Sequence, residues 1–427
     1  MKRSLKRKPK MVEGRVFLYI GTVLVAMLIG FGEGWAGNNS DCLSCHKEES
    51  LSKEDGRGSK VSLFVSEAAY QGSIHGSLSC SDCHTKIRDD SHAAGGAKAV
   101  SQRVDCAGCH AEAEKEYKKG LHSKVILKGT ERAAYCQDCH GKHEIRPSKD
   151  PKSKTHLGNI AKTCSRCHSD KEFVKQHALG VGPSPGELFH GSVHEMTGEV
   201  SCTSCHGSHN LRSLIDPQSS IFRSNIPQTC GACHGEVTKQ FEESIHGVLA
   251  ARGRSDSPTC TTCHGIHGIK AKIDPDSPVN EKRIALTTCP QCHAAERISR
   301  EYGFTKGQQV KSYYDSFHGL SYQGGDTFSA NCASCHGVHD IFPSSDARSM
   351  VHRNNLQKTC GACHPGASAN FAKGKIHAVA SIRGEEFGEK VVGWVRVVYL
   401  FLIVGVIGGM IFFNFTDWLR KTIDRRP

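Results

Sequence analysis

Two kinds of reactive side chain dominate this 427-residue chain, which holds 22 cysteines and 26 histidines. Every cysteine lies in one of eleven Cys-x-x-Cys-His pentapeptides. In chain order these are Cys42, Cys45, His46; Cys80, Cys83, His84; Cys106, Cys109, His110; Cys136, Cys139, His140; Cys164, Cys167, His168; Cys202, Cys205, His206; Cys230, Cys233, His234; Cys260, Cys263, His264; Cys289, Cys292, His293; Cys332, Cys335, His336; and Cys360, Cys363, His364. Two thiols so spaced can add to the two vinyl groups of a haem, and the imidazole that follows can reach the iron as its proximal ligand. A disulfide framework, paired zinc sites or thioredoxin-like dithiols could use the cysteines, but none of these requires a histidine after the second one. The spacing therefore predicts eleven covalently bound c-type haems.

A haem iron either takes a second axial ligand or stays open to substrate. Fifteen histidines remain outside the motifs. Six of them precede a pair of motifs or close the array: His75, His122, His194, His246, His318 and His377. Four more sit in a Gly-x-His element after a motif: His143, His209, His267 and His339. Where a fifth such histidine would fall the chain has Ile87, with His92 five residues later. These make eleven distal candidates for eleven irons. His194 is preferred to His190 because Phe189 and Ser192 match Phe241 and Ser244 around His246. His156 and His352 share a position that is Phe222 and Asn280 in other copies, and His177 and His190 have no counterpart, so none of the four is expected to be a ligand. Outside the two terminal segments the only methionines are Met196 and Met350. Bis-histidine coordination, and with it low potential, is the expectation.

These residues are carried by an internal repeat. Four copies run over about 117–168, 189–234, 241–293 and 313–364. Each opens on an aromatic with a histidine five residues on (Tyr117/His122, Phe189/His194, Phe241/His246, Tyr313/His318). A motif with its Gly-x-His follows, then an aspartate (Asp150, Asp216, Asp274, Asp346), and finally a second motif beginning 14, 14, 15 and 14 residues after that aspartate. The expected divisions are an N-terminal three-haem region over 38–116 and four two-haem repeats with a cap over 117–380. The expected fold is a multihaem cytochrome c, with little regular secondary structure, short α-helices and loops wrapped around a haem chain, and a terminal membrane helix. With 37% hydrophobic and 7% aromatic residues the side chains alone would make a poor core.

Both ends point to a membrane. Residues 1–37 join a basic start to an apolar run, and act either as a cleaved signal peptide or as a retained anchor. Val397–Thr416 is uncharged and rich in Val, Ile, Leu and Phe within an expected transmembrane helix over 391–418. Arg420, Lys421, Arg425 and Arg426 follow in a tail over 419–427, which the positive-inside rule puts in the cytoplasm. The net charge of +12 gathers largely at these ends and gives no reason to expect nucleic-acid binding.

The paired motifs from Tyr70 to His377, with Thr-Cys-Gly-Ala-Cys-His at Thr229–His234 and Thr359–His364, resemble those of multihaem c-type cytochromes such as the periplasmic decahaem conduits of metal-reducing bacteria. The stretch from Val391 to Lys421 resembles the first helix of the cytochrome b part of multihaem-c/cytochrome-b quinol oxidoreductases, without the histidines that hold b haems there. These resemblances imply export, since thioether attachment takes place outside the cytoplasmic membrane. They also imply an inner-membrane protein whose haem domain faces the periplasm. Electrons would pass from a cytochrome b-type or other quinol-oxidising membrane partner to periplasmic redox acceptors. The rival is a multihaem reductase of nitrite or hydroxylamine. Such enzymes need an open iron, often marked by lysine in place of the motif histidine, and no motif here has that replacement. His377 is expected to cap the array, ligating an upstream iron near the bilayer.

Overall fold

In the computed structural model, residues 38–54, 60–87, 104–127, 133–176, 183–303, 308–371, 377, 381–383 and 387–424 are described. The segment 1–37, His92, His177, Arg425 and Arg426 lie outside them. The described chain is mostly short helices and loops. Its sheet is one antiparallel pair, Ser52–Glu54 with Lys60–Ser62, and one long apolar helix closes the chain. Two compact units form, one of residues 1–67 with 77–104 and the other of 68–76 with 105–427. In the first, Asn38 caps the Asn39–His46 helix, and the hairpin is followed by Leu63, whose carbonyl meets His46 Nδ1 at 2.9 Å.

Each copy is built the same way. Its first motif forms one helical turn, as in Cys136–His140, Cys202–His206, Cys260–His264 and Cys332–His336. The next residue is Gly141, Gly207, Gly265 or Gly337, with φ between +76° and +96°. Side-chain-bearing residues resist that conformation, so the glycine of Gly-x-His stops the helix and turns the chain. The aspartate then closes a side-chain turn: Oδ1 of Asp150, Asp216, Asp274 and Asp346 accepts the backbone N–H two residues on at 2.8–2.9 Å. The other carboxylate oxygen pairs with Arg146, Arg212, Lys270 or Arg348. Three residues further, the buried Ser153, Ser219, Ser277 and Ser349 donate to the carbonyls of Arg146, Arg212, Lys270 and Phe342. The threonine before the second motif bonds back to this loop, through Thr163, Thr229, Thr288 and Thr359 to the carbonyls of Lys154, Ser220, Pro278 and Met350. A polar framework thus fixes the distance between a copy's two motifs.

The one-residue excess in the third copy is absorbed locally. Before Cys289 the chain forms a π-helix, Ile284–Thr288, the usual outcome of inserting one residue into a helix. Tyrosines of the fourth copy cover it. Tyr314 donates to the Ala285 carbonyl at 2.8 Å and Tyr322 to that of Glu281, while Tyr313 and Tyr322 pack on Ala285.

Successive copies interlock through the backbone. The N–H of the residue before an opening histidine donates to the carbonyl two residues past the Gly-x-His of the following copy. The pairs are Ile74 to Ile145, Leu121 to Leu211, Val193 to Ile269 and Ile245 to Ile341, at 2.6–2.9 Å. Side chains contribute little apolar core: among the described residues the buried hydrophobics are Leu43, Ala133, Phe241, Ala250, Ala285, Ile298, Tyr313 and Tyr322, and the largest fully buried side chain is Thr259. A domain of this size ordinarily buries far more apolar surface.

The last helix, Phe387–Ile423, has 37 residues and spans about 55 Å. It runs past both ends of the expected 391–418 segment. It is long and apolar enough to cross a membrane, and its apolar window has no protein cover. Near its start, Gly393 lies against the backbone of Ser381 and Ile382, where a Cβ would come 2.5 Å from Ser381 C. Arg396 pairs with Asp315 of the fourth copy at 3.3 Å.

Candidate functional site

The structure brings motif histidines close to other histidines. Nine such pairs form: His75–His110, His122–His168, His140–His209, His194–His234, His206–His267, His246–His293, His264–His339, His318–His364 and His336–His377. Their ring centroids are 5.9–6.3 Å apart, and every pair joins a motif histidine to a distal candidate.

That distance discriminates between chemistries. A ring centroid lies about 1.15 Å from its nitrogen, and a metal–imidazole bond is about 2.0 Å, so two imidazoles trans on one metal stand about 6.3 Å apart. Tetrahedral coordination would bring them to about 5.1 Å. A direct N–H···N hydrogen bond of about 2.9 Å would bring them to about 5.2 Å. The observed spacing is closest to that of two imidazoles that would bind one metal from opposite sides. Among the described residues there is also no cluster of three or more His, Cys, Asp or Glu suited to holding a lone ion.

Two kinds of pair alternate. An opening histidine meets the second motif of its own copy, with ring planes crossing at 39–54°. A Gly-x-His histidine meets the first motif of the preceding copy, and His140–His209, His206–His267 and His264–His339 are nearly parallel at 12–17°. Short helices position the first kind: Ser192, Ser244 and Ser316 cap the N-termini of Val193–Thr197, Ile245–Ala251 and Phe317–Gln323, so that His194, His246 and His318 fall in the first turn. Ser244 accepts from Gly247, where a Cβ would fall on the Phe241 carbonyl.

His377 is the exception to its sequence setting. Its surroundings resemble an opening element, yet it meets His336, a first-motif histidine, at 6.1 Å and 36°. It thus stands where a fifth copy's Gly-x-His would. Its Nδ1 lies 2.9 Å from the Gln309 carbonyl and 3.1 Å from Ser312 Oγ. A carbonyl only accepts, so Nδ1 carries the proton and Nε2 keeps its lone pair. Leu63 sets the same tautomer on His46. Bonds of this kind orient metal-binding imidazoles.

The other histidines have different partners. His194 faces His234, whereas His190 is 85% exposed on its side chain and bonds Glu195, which raises its pKa. His156 accepts the Gly158 N–H and His352 that of Asn354, both capping local backbone. Of the remaining candidates, His143 is half-buried on the loop after its motif, and His46 and His84 lie in the first unit, where burial and then the neighbouring His46 lower the pKa of His84.

Burial also lowers the pKa of the paired rings His122, His140, His168, His206, His264 and His293, and pushes His246 and His336 down to about 4. Neutral imidazoles offer a lone pair to a metal. The thiols shift in both directions. Burial pushes Cys80 and Cys106 up to about 11, while Cys164, Cys230 and Cys289, each donating to its neighbour, are raised and the accepting Cys202, Cys260 and Cys332 are lowered, Cys202 to about 7.

The same interactions give the order of the motifs in space. Neighbouring thiols are Cys106 with Cys136, Cys139 with Cys167, Cys164 with Cys202 and Cys205 with Cys230. The series continues through Cys230 with Cys260, Cys263 with Cys292, Cys289 with Cys332 and Cys335 with Cys360. From the third motif onward, each motif adjoins the next in sequence.

Against known proteins, no family model, curated sequence or solved structure matches the chain.

Proposed function

We propose that this chain is a membrane-anchored c-type cytochrome with eleven haems that carries electrons between a quinol-oxidising membrane partner and periplasmic acceptors. The observation that carries the reading is the set of nine histidine pairs at 5.9–6.3 Å, each containing the histidine of a Cys-x-x-Cys-His motif. Haem bound there supplies a one-electron couple. The chain's own residues would do the rest: paired thiols would tether the haem, the paired imidazoles would hold its iron, and the interlocked copies would keep successive sites adjacent. At the nine paired sites a histidine on each side of the iron would leave little room for a substrate, which favours transfer over the reductase reading. Arg420 and Lys421, in the last turn of the apolar helix, favour a cytoplasmic C-terminus and a periplasmic haem domain.

The test is intact mass together with reduced-minus-oxidised absorption of the purified membrane protein. Eleven added haem masses and low-spin spectra are expected; nine or fewer haems, or tight carbon monoxide binding at many sites, would refute the reading.

A further inference from the structure

Resting on that reading, we infer that the fourth copy, with the pairs His318–His364 and His336–His377, is the membrane-side terminus of the array, positioned by Asp315 and Arg396 for electron exchange with a redox partner embedded in the bilayer. Two independent ties join this copy to the apolar helix. Asp315 pairs with Arg396 at 3.3 Å, and His318 follows Asp315 by three residues, a reach of at most about 11 Å. Gly393 touches Ser381 and Ile382, and His377 precedes Ser381 by four residues, at most about 14 Å away. Both sites of the copy are therefore tethered close to Trp394, an aromatic of the kind that sits at the membrane surface.

The element between them couples the two. The Gln308–Tyr314 helix holds His377 through the Gln309 carbonyl and Ser312 Oγ, and its next residue is Asp315. One short helix thus links an axial-ligand candidate to the membrane helix. The thiol order agrees, because Cys360 adjoins Cys335 and closes the series. Asp315 and Arg396 are positioning residues, since they act through the Gln308–Tyr314 helix.

Tryptophan emission tests this in the full-length protein, because bound haem quenches a nearby indole. The chain has three tryptophans, Trp35, Trp394 and Trp418. Trp418 lies about 36 Å farther along the helix than Trp394. In a Trp35→Phe/Trp418→Phe background, Trp394 reports alone. Removing the fourth copy's haems with Cys332→Ala, Cys335→Ala, Cys360→Ala and Cys363→Ala should raise its emission severalfold. Removing a distant haem with Cys136→Ala and Cys139→Ala should leave it unchanged. Equal responses, or a response to the distant removal alone, overturn the inference.

Where the four-cysteine variant fails to fold, Asp315→Arg or Arg396→Asp alone should raise Trp394 emission and slow reduction by membrane vesicles, while dithionite still reduces fully. Together they should restore both; swaps without effect overturn the inference. Haem number is read by mass throughout. Failure of the parent reading would appear as missing haem, distinct from a haem-bearing chain whose Trp394 is indifferent.

Discussion

Replacing His377 by alanine removes one imidazole from one site and should touch no other. His336 would keep its place on the motif turn and lose the ring 6.1 Å away. One haem of eleven should become five-coordinate and high-spin, and the variant should bind about one carbon monoxide per chain. The lost Nδ1–H bond to Gln309 costs about 1 kcal/mol, too little to unfold the chain. Carbon monoxide titration followed in the Soret band counts the open sites. A second substitution tells which haem has opened. Adding Cys332→Ala/Cys335→Ala should abolish the new binding, because the open iron goes with its haem; adding Cys360→Ala/Cys363→Ala should leave it. Binding of none or of several equivalents, or binding that survives loss of the Cys332/Cys335 haem, would refute the pairing of His377 with His336.

Three further outcomes follow from the geometry. Low-spin EPR should resolve at least two populations, because one set of ring pairs lies at 12–17° and the other at 39–54°; a single homogeneous envelope would contradict the alternation. Gly247→Ala, which drives a Cβ into the Phe241 carbonyl, should cost at least about 1–3 kcal/mol of overpacking. A thermal melt checks it, while Gly235→Ala, with open space at its Cβ, should be tolerated. Asp346 is held at about 2, first by its bond from Arg348. A depressed carboxylate binds fewer protons folded than unfolded, so its contribution is present above about pH 4 and fades as pH falls toward 2. Asp346→Asn should remove that part of the acid sensitivity, and an unchanged acid-unfolding curve would argue against it.

Local structure was readable from the sequence because it is written within a few consecutive residues. The eleven motifs, the Gly-x-His elements, the aspartate turns and the apolar stretch from Val397 to Thr416 each depend on residues adjacent in the chain. Recurrence then marked His122, His194, His246 and His318 as one class and His143, His209, His267 and His339 as another. The surplus residue in the third copy was visible as a number, and only the fold shows it becoming the π-helix Ile284–Thr288 under tyrosines from the next copy.

What tertiary structure decided is which histidine faces which. His264 meets His339, not a neighbour in its own copy, because the copies are joined by backbone bonds such as Ile245 N–H to Ile341 C=O that no local pattern announces. His377 shows the limit most clearly. Its flanking residues resemble an opening element, but there is no second motif after it to meet, so it settles against His336, the first-motif histidine left without a following copy. Spacing along a chain determines which groups a segment can offer. Pairing across about 6 Å depends on how separate segments dock, and that is set by packing between copies.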